Sequence, residues 1–195
     1  MTQGVILYGP PAAGKDSITV ALNRIDERYS LFRRLKVGAG RTAGYRMTNS
    51  TTVAKLRAAG DILWENRRYG SLYIVDRPSL AAQLQAGIPI LHLGQPCSID
   101  AIRAAIPAHW LVVSVSCPRE IAAARIAARQ TGDTDERLAA WDETPALQHP
   151  DLVIDTSLAS VGEAAQAIHL RVSGKSAQAA ATDDNGRQQA VNDLH

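Results

Sequence analysis

The chain reads as an α/β protein built on a parallel sheet with helices on both faces. Short apolar runs bounded by turn residues recur between stretches of helical spacing, and strands separated by helices pair in parallel. The first run, Val5-Ile6-Leu7-Tyr8, leads directly into Gly9-Pro10-Pro11-Ala12-Ala13-Gly14-Lys15-Asp16-Ser17 and then Ile18-Thr19-Val20-Ala21-Leu22: strand, glycine-bounded loop, helix. The totals agree. A chain of 195 residues, 46% hydrophobic and 21% charged, suffices for one globular domain. With one Phe, three Trp and five Tyr, its core must be mainly Ala, Leu, Ile and Val.

The strand-to-helix loop is the most informative stretch. Its glycines let successive backbone N–H groups point inward at a phosphate. The helix beginning near Lys15 adds its positive end, and the Lys15 ammonium reaches the terminal phosphates. An ordinary Gly/Pro turn is the competing reading, and the flanking strand and helix argue against it. Where Ser or Thr normally holds magnesium after the lysine, this chain has Asp16, with a hydroxyl one place later at Ser17. A carboxylate is a hard oxygen ligand suited to the same ion. Gly9 to Ser17 is therefore the candidate triphosphate cradle, with Asp16 and Ser17 the candidate metal residues.

Asp16 to about Arg28 has helical spacing, with Ile18, Leu22 and Ile25 on one side. Leu31 to Val37 is a candidate strand carrying Arg33, Arg34 and Lys36. The glycine-rich stretch from Gly38 to Arg46 suits either a second anion cradle clamped by Arg41 and Arg46 or a solvated surface loop. Asn49 or Ser50 caps a helix ended by Gly60. Asp61 to Tyr73 predicts a hairpin turning near Gly70-Ser71, with Trp64, Tyr69 and Tyr73 beside two arginines. Such faces fit a flat phosphorylated ligand or a small satellite core. Pro78 to Ala86 predicts a helix, Ile88 to Gly94 a buried strand, Asp100 to Ile106 a short helix, and Trp110 to Ser116 another buried strand. Pro118 opens a helix at its first position, running through Arg125 and Arg129. Gln130 to Thr134 interrupts it, and Asp135 to Trp141 resumes it with Arg137. Leu152 to Asp155 is the last strand, and the capping box Ser160-Val161-Gly162-Glu163 opens the last helix.

Twenty-one basic against nineteen acidic residues give +2, too balanced for a general nucleic-acid binder. Cys97 and Cys117 form no metal-ligand pattern and are expected as buried thiols. No apolar run reaches the roughly 18 residues of a membrane helix, and the N-terminus enters the first strand without a signal peptide, so a cytoplasmic protein is expected. Residues 173–195 have no apolar periodicity and are expected to be disordered.

The order of parts resembles guanylate kinase and its relatives among the nucleoside-monophosphate kinases, over about residues 4 to 172. Gly9 to Lys15 looks like the family's phosphate loop. Gly60-Asp61-Ile62-Leu63 followed by Gly70-Ser71-Leu72-Tyr73 looks like its acceptor hairpin, and Pro118-Arg119-Glu120-Ile121 through Arg125, Arg129 and Arg137 like its arginine-bearing lid. The resemblance implies a three-layer P-loop kinase fold with an acceptor-binding insertion at about 38–75 and a lid at about 125–140. It also implies ATP and Mg2+ as cofactors. The chain departs from the family where guanine is read. Trp64 stands at the guanine-reading glutamate with Glu65 adjacent, the family's Tyr-Gly-Ser/Thr becomes Tyr73-Ile74-Val75 and so loses a hydroxyl, and His92 and Gly94 replace strand-end aspartates. The paired arginines are reduced to Arg41, with Arg46 a possible substitute. A site discriminates by hydrogen bonds to groups it expects, so these losses argue against GMP. Gly14-Lys15-Asp16-Ser17 is the spelling of a close branch, the ribose bisphosphate phosphokinases.

The expected activity is transfer of the terminal phosphoryl of ATP to a small phosphorylated acceptor resembling a nucleoside monophosphate. Lys15, Arg125, Arg129 and Arg137 are the expected catalytic residues, and Arg41, Tyr45, Arg46, Trp64 and Tyr73 the expected acceptor residues. The alternatives are a ribose bisphosphate or specialised metabolite kinase, and a non-catalytic guanylate kinase-like docking module.

Overall fold

The computed structural model describes residues 2–40, 42–130 and 132–174. Arg41 and the expected disordered stretch beyond Gly174 lie outside the described residues. Five strands form one parallel sheet: β1 (Gln3–Tyr8), β2 (Tyr29–Leu31), β7 (Ile88–Leu93), β8 (His109–Ser116) and β9 (Leu152–Asp155), in the order β2-β7-β1-β8-β9. The remaining strands, β3 (Leu35–Val37), β4 (Arg46–Met47), β5 (Ile62–Arg68) and β6 (Ser71–Asp76), form a second sheet in the order β4-β3-β6-β5.

Strand periodicity divides the apolar residues between two layers. Val5 and Leu7, Ile88 and Ile90, and Leu111, Val113 and Val115 face helices α1 (Lys15–Ile25) and α7 (Val161–Val172), meeting Ile18, Leu22, Ala165 and Ile168. Ile6, Tyr8, Leu91, Leu93 and Val112 face α3 (Arg77–Ala86) and α4 (Pro96–Ala105), meeting Leu80, Leu84, Ile99 and Ile102. A strand buried on both faces must be apolar at every position, which is why these strands read as unbroken hydrophobic runs. A third cluster seats α5 (Arg119–Ala127) and α6 (Thr134–Asp142) against the loop at Ala12, through Ala122, Ile126, Leu138 and Trp141. A fourth, Leu35, Val53, Leu72 and Ile74, packs α2 (Ser50–Ala58) on the second sheet.

Several expectations are corrected. The strand expected from Leu31 to Val37 is two short strands in different sheets, broken where the Phe32 N–H bonds Ile90 O at 2.9 Å and its ring enters the core. That break turns the chain from the main sheet into the second one. The first helix ends at Ile25, which is exposed, because Asp26 adopts an extended conformation. Pro118 is the N-cap of its helix rather than its first residue, and α4 begins at Pro96 rather than Asp100. Cys97 is exposed; only Cys117 is buried. The Ser160–Glu163 capping box is formed as expected. Among the described residues no helix is long and apolar enough to cross a membrane.

Candidate active site

The loop between β1 and α1 has the backbone that its glycines imply. Gly9 lies at φ 152°, and a Cβ there would sit 2.0 Å from Val115 O, so only glycine lets the loop pass the neighbouring strand. Gly14, at φ 99°, is the N-cap of α1, and no side chain caps this helix. Its N-terminal N–H groups and positive end therefore face the cleft without a competing internal acceptor. Ala12 holds a left-handed φ of 60°, a strained position kept in place by the packing of α5 and α6 against it.

Lys15 Nζ donates to the carbonyls of Gly9 and Pro10, both at 2.7 Å, which fixes the ammonium at the loop mouth. Burial lowers its pKa to about 8, Asp16 pulls it up, and Arg34 and Arg129 push it further down. A desolvated cation among other cations is poised to accept a polyanion.

A cavity of about 210 Å³ opens from this loop. It is lined on the loop side by Gly9, Pro11 to Asp16 and His92, on the second-sheet side by Arg34, Tyr45, Asn66, Tyr69 and Tyr73, and on the helical side by Arg129 and Arg137. Of the expected residues, the structure thus brings Lys15, Asp16, Tyr45, Tyr73, Arg129 and Arg137 to one cleft. Tyr45 and Tyr73 form a tilted pair with centroids 5.2 Å apart. The Arg34 guanidinium stands 5.1 Å from the Tyr73 ring and 5.9 Å from that of Tyr45. Arg137 is held by Asp133 at 2.7 Å and lies 5.4 Å from the Tyr69 ring, linking the helical side to the hairpin tip.

Other expected residues lie elsewhere. Arg125 does not line the cavity; it donates to Ala12 O at 3.2 Å and to Thr156 Oγ1 and O at 2.9 and 3.1 Å, buttressing the loop from behind. Arg46 is committed to the base of the hairpin by an ion pair with Asp76 and bonds to Ser79 Oγ and Arg33 O at 2.6 and 2.7 Å. Trp64 packs into the core with its indole N–H buried. Ser17 is exposed outside the cavity, leaving Asp16 as the metal candidate inside it.

Trp64 and Asn66 share one face of β5, but Trp64 lies nearer the hairpin base, opposite the core residue Val75, and Asn66 nearer the tip. A β-bulge between Ile62 and Trp64 shifts the pairing, and Asn66 then stands directly opposite Tyr73. Residues opposite one another share a face of the sheet, so both meet the cavity. Glu65 points to the other face and takes both its bonds from Arg57, at 2.9 and 2.7 Å. Asn66 Oδ1 is buried without a hydrogen-bond partner, so its amide is uncommitted within the protein. Sequence reasoning noted the basic cluster holding Arg34 and the aromatic face of Tyr69 without counting either among the acceptor residues, and met His92 only as a departure from the family pattern.

The donor set fits Mg2+. Among the described residues no group of three or more His, Cys, Asp or Glu could hold a metal. One carboxylate, Asp16, beside an anion cradle suits an ion that keeps waters and is held largely by substrate phosphates.

No family model matches the chain. Ribose 1,5-bisphosphate phosphokinase PhnN of Rhodopseudomonas palustris (strain ATCC BAA-98 / CGA009) is 31% identical over 157 residues, covering 77% of this chain and 78% of the relative. The fold is similar to the crystal structure of guanylate kinase from Anaplasma phagocytophilum, with a TM-score of 0.56 and 14% identity over 89% of this chain and 86% of that one. It is also similar to the crystal structure of APE1195, with a TM-score of 0.54 and 17% identity over 89% and 96% of the two chains.

Proposed function

Because the chain belongs to the guanylate kinase-like P-loop kinases, together with its ribose 1,5-bisphosphate phosphokinase relative, we propose that it moves the terminal phosphoryl of ATP to a phosphorylated pentose of the ribose bisphosphate type. The observation that carries this reading is the wall opposite Lys15. It offers the guanidiniums of Arg34 and Arg68, the latter paired with Glu143, three tyrosines and an amide whose oxygen has no partner in the protein, and Asp16 is the single carboxylate among the described lining residues. Guanine presents adjacent N–H donors that a carboxylate answers best. A sugar phosphate asks instead for a cation at its phosphate and an amide at its hydroxyls.

In this mechanism Lys15 and the N–H groups of the loop hold the donor phosphates. Bound Mg2+ supplies further neutralisation of phosphate charge, with Asp16 its protein ligand. Arg34 draws in the acceptor phosphate between Tyr45 and Tyr73, and Asn66 pairs with an acceptor hydroxyl. An ionised phosphate oxygen of the acceptor attacks the terminal phosphorus as the bond to the ADP oxygen breaks. No base is needed, and catalysis rests on alignment and charge. Arg129 and Arg137, on the 125–140 segment acting as lid, cover the transferring group and keep water from it. The 38–75 segment is the acceptor side.

A nucleoside monophosphate is the second reading, favoured by the stacking surface of the Tyr45–Tyr73 pair. Turnover of labelled ATP with ribose 1,5-bisphosphate, GMP, dGMP, other nucleoside monophosphates and unphosphorylated nucleosides separates the two. The expected result is a kcat/KM for ribose 1,5-bisphosphate about 100-fold above that for GMP, a gap that unpaired polar groups readily produce. A preference for GMP would overturn the sugar-phosphate reading. Asn66→Ala is expected to lower kcat/KM for the favoured acceptor about tenfold, the worth of one hydrogen bond, with KM for ATP unchanged.

ATP affinity is expected to depend on pH through Lys15. A bound polyphosphate favours the protonated lysine, so the bound form has the higher pKa. Affinity is then level below about 8 and falls as pH rises past that value, where the free protein has lost the proton. Calorimetry between pH 6.5 and 9.5 at constant free Mg2+ checks this, and Lys15→Met should abolish the dependence.

A further inference from the structure

At the position after Lys15 a serine or threonine carries its oxygen directly on Cβ. Asp16 carries its oxygens one bond further out, on a carboxyl that turns about a second side-chain torsion, and this side chain is 53% exposed. Ordering such a group at a phosphate site costs rotamer entropy unless something holds it. The holder is visible. His92 Nδ1 lies 3.4 Å from Asp16 Oδ1, and His92 Nε2 lies 2.8 Å from Thr19 Oγ1.

The elements make this bridge rigid. Asp16 and Thr19 are three residues apart on α1 and so share a face of the helix. His92 is fixed in the sheet by its register with Leu7, and the next residue's carbonyl, Leu93 O, accepts the Gly9 N–H at 3.1 Å. The same strand end therefore grips both ends of the phosphate loop. Hydrogen-bond logic assigns the proton. A carboxylate only accepts, so Nδ1 carries the hydrogen facing Asp16; in the neutral ring Nε2 then accepts from the Thr19 hydroxyl. Burial and the nearby Lys15 keep the ring neutral against the opposing pull of Asp16.

We propose that His92, oriented by Thr19, is a positioning residue that holds the Asp16 carboxylate in the direction from which it meets the nucleotide-bound metal. This rests on the reading of Asp16 as the metal ligand. The histidine is then the compensation for placing a longer, turning carboxylate where a hydroxyl usually serves.

The test compares ATP binding with and without Mg2+ by calorimetry on the full chain. The Mg2+-dependent gain in affinity is the readout, and affinity for metal-free ATP is the control for an intact loop. Asp16→Ala should remove most of the gain. His92→Leu should reduce it about tenfold while metal-free affinity stays within twofold. His92→Asn, whose amide nitrogen can replace Nδ1, should restore most of the loss, which a merely structural role would not produce. Thr19→Val, nearly isosteric but without the hydroxyl that pairs with His92, should reduce the gain about threefold. If Asp16→Ala keeps the full gain, the metal reading and this inference fall together. If Asp16→Ala loses it while His92→Leu or Thr19→Val keeps it, the inference alone is overturned.

Discussion

Lys15→Met is expected to lower kcat by about 10³-fold or more and to weaken Mg2+·ATP binding, leaving the melting temperature unchanged or raised. The magnitude follows from removing a preorganised cation from the place where charge moves during phosphoryl transfer. The stability expectation follows from the lysine's surroundings. Its pKa is lowered to about 8 chiefly by burial, so the charged ammonium is a cost to the folded state at neutral pH. Methionine keeps the stem and removes that cost, although it also frees the carbonyls of Gly9 and Pro10. Steady-state kinetics with thermal melting checks the pair of outcomes. A variant that melts normally and retains a tenth of the wild-type kcat would remove Lys15 from the mechanism.

Arg34→Ala is the second large effect, with kcat/KM for the acceptor expected to fall about 100-fold. Among the described residues no ion pair engages Arg34, and its guanidinium projects into the cavity beside the two tyrosines. A bidentate guanidinium–phosphate contact is worth about 1.5–3 kcal/mol, and more where water is excluded. Arg34→Lys should recover only part of the activity, since a point charge cannot form the paired contact. The change also acts at a distance on Lys15. Arg34 helps to depress the lysine, so its loss should raise the Lys15 pKa and move the decline of ATP affinity to higher pH. Equal effects on acceptor and ATP KM, with no such shift, would show that Arg34 serves the fold and not the acceptor.

How the site could be read in advance depended on the range of its contacts. The loop from Gly9 to Ser17 was legible because its structure is local: glycine conformations, a helix N-terminus and one lysine follow from neighbouring residues. The parallel sheet was legible for a similar reason, since doubly buried strands must be apolar along their whole length. Arg125 and Arg129 illustrate the limit. Both sit near the end of α5 at helical spacing, yet Arg129 lines the cavity while Arg125 is spent on Ala12 and Thr156. Arg46 likewise has the charge expected of an acceptor clamp, but Asp76, thirty residues away, takes it.

By itself, then, the sequence determined an α/β chain with a phosphate-binding loop, and an unusual carboxylate beside its lysine. Tertiary structure alone decided what stands opposite that loop. A single bulge in the hairpin puts Trp64 and Asn66 together on the face of Val75 and Tyr73, where Trp64 meets the core and Asn66, nearer the tip, the cavity, and a break at Phe32 turns Arg34 toward it. The reason is geometric: side chains alternate along a strand, so one residue of register moves every side chain beyond the bulge to the other face of the sheet. A strand's own residues do not specify that register; its partner does.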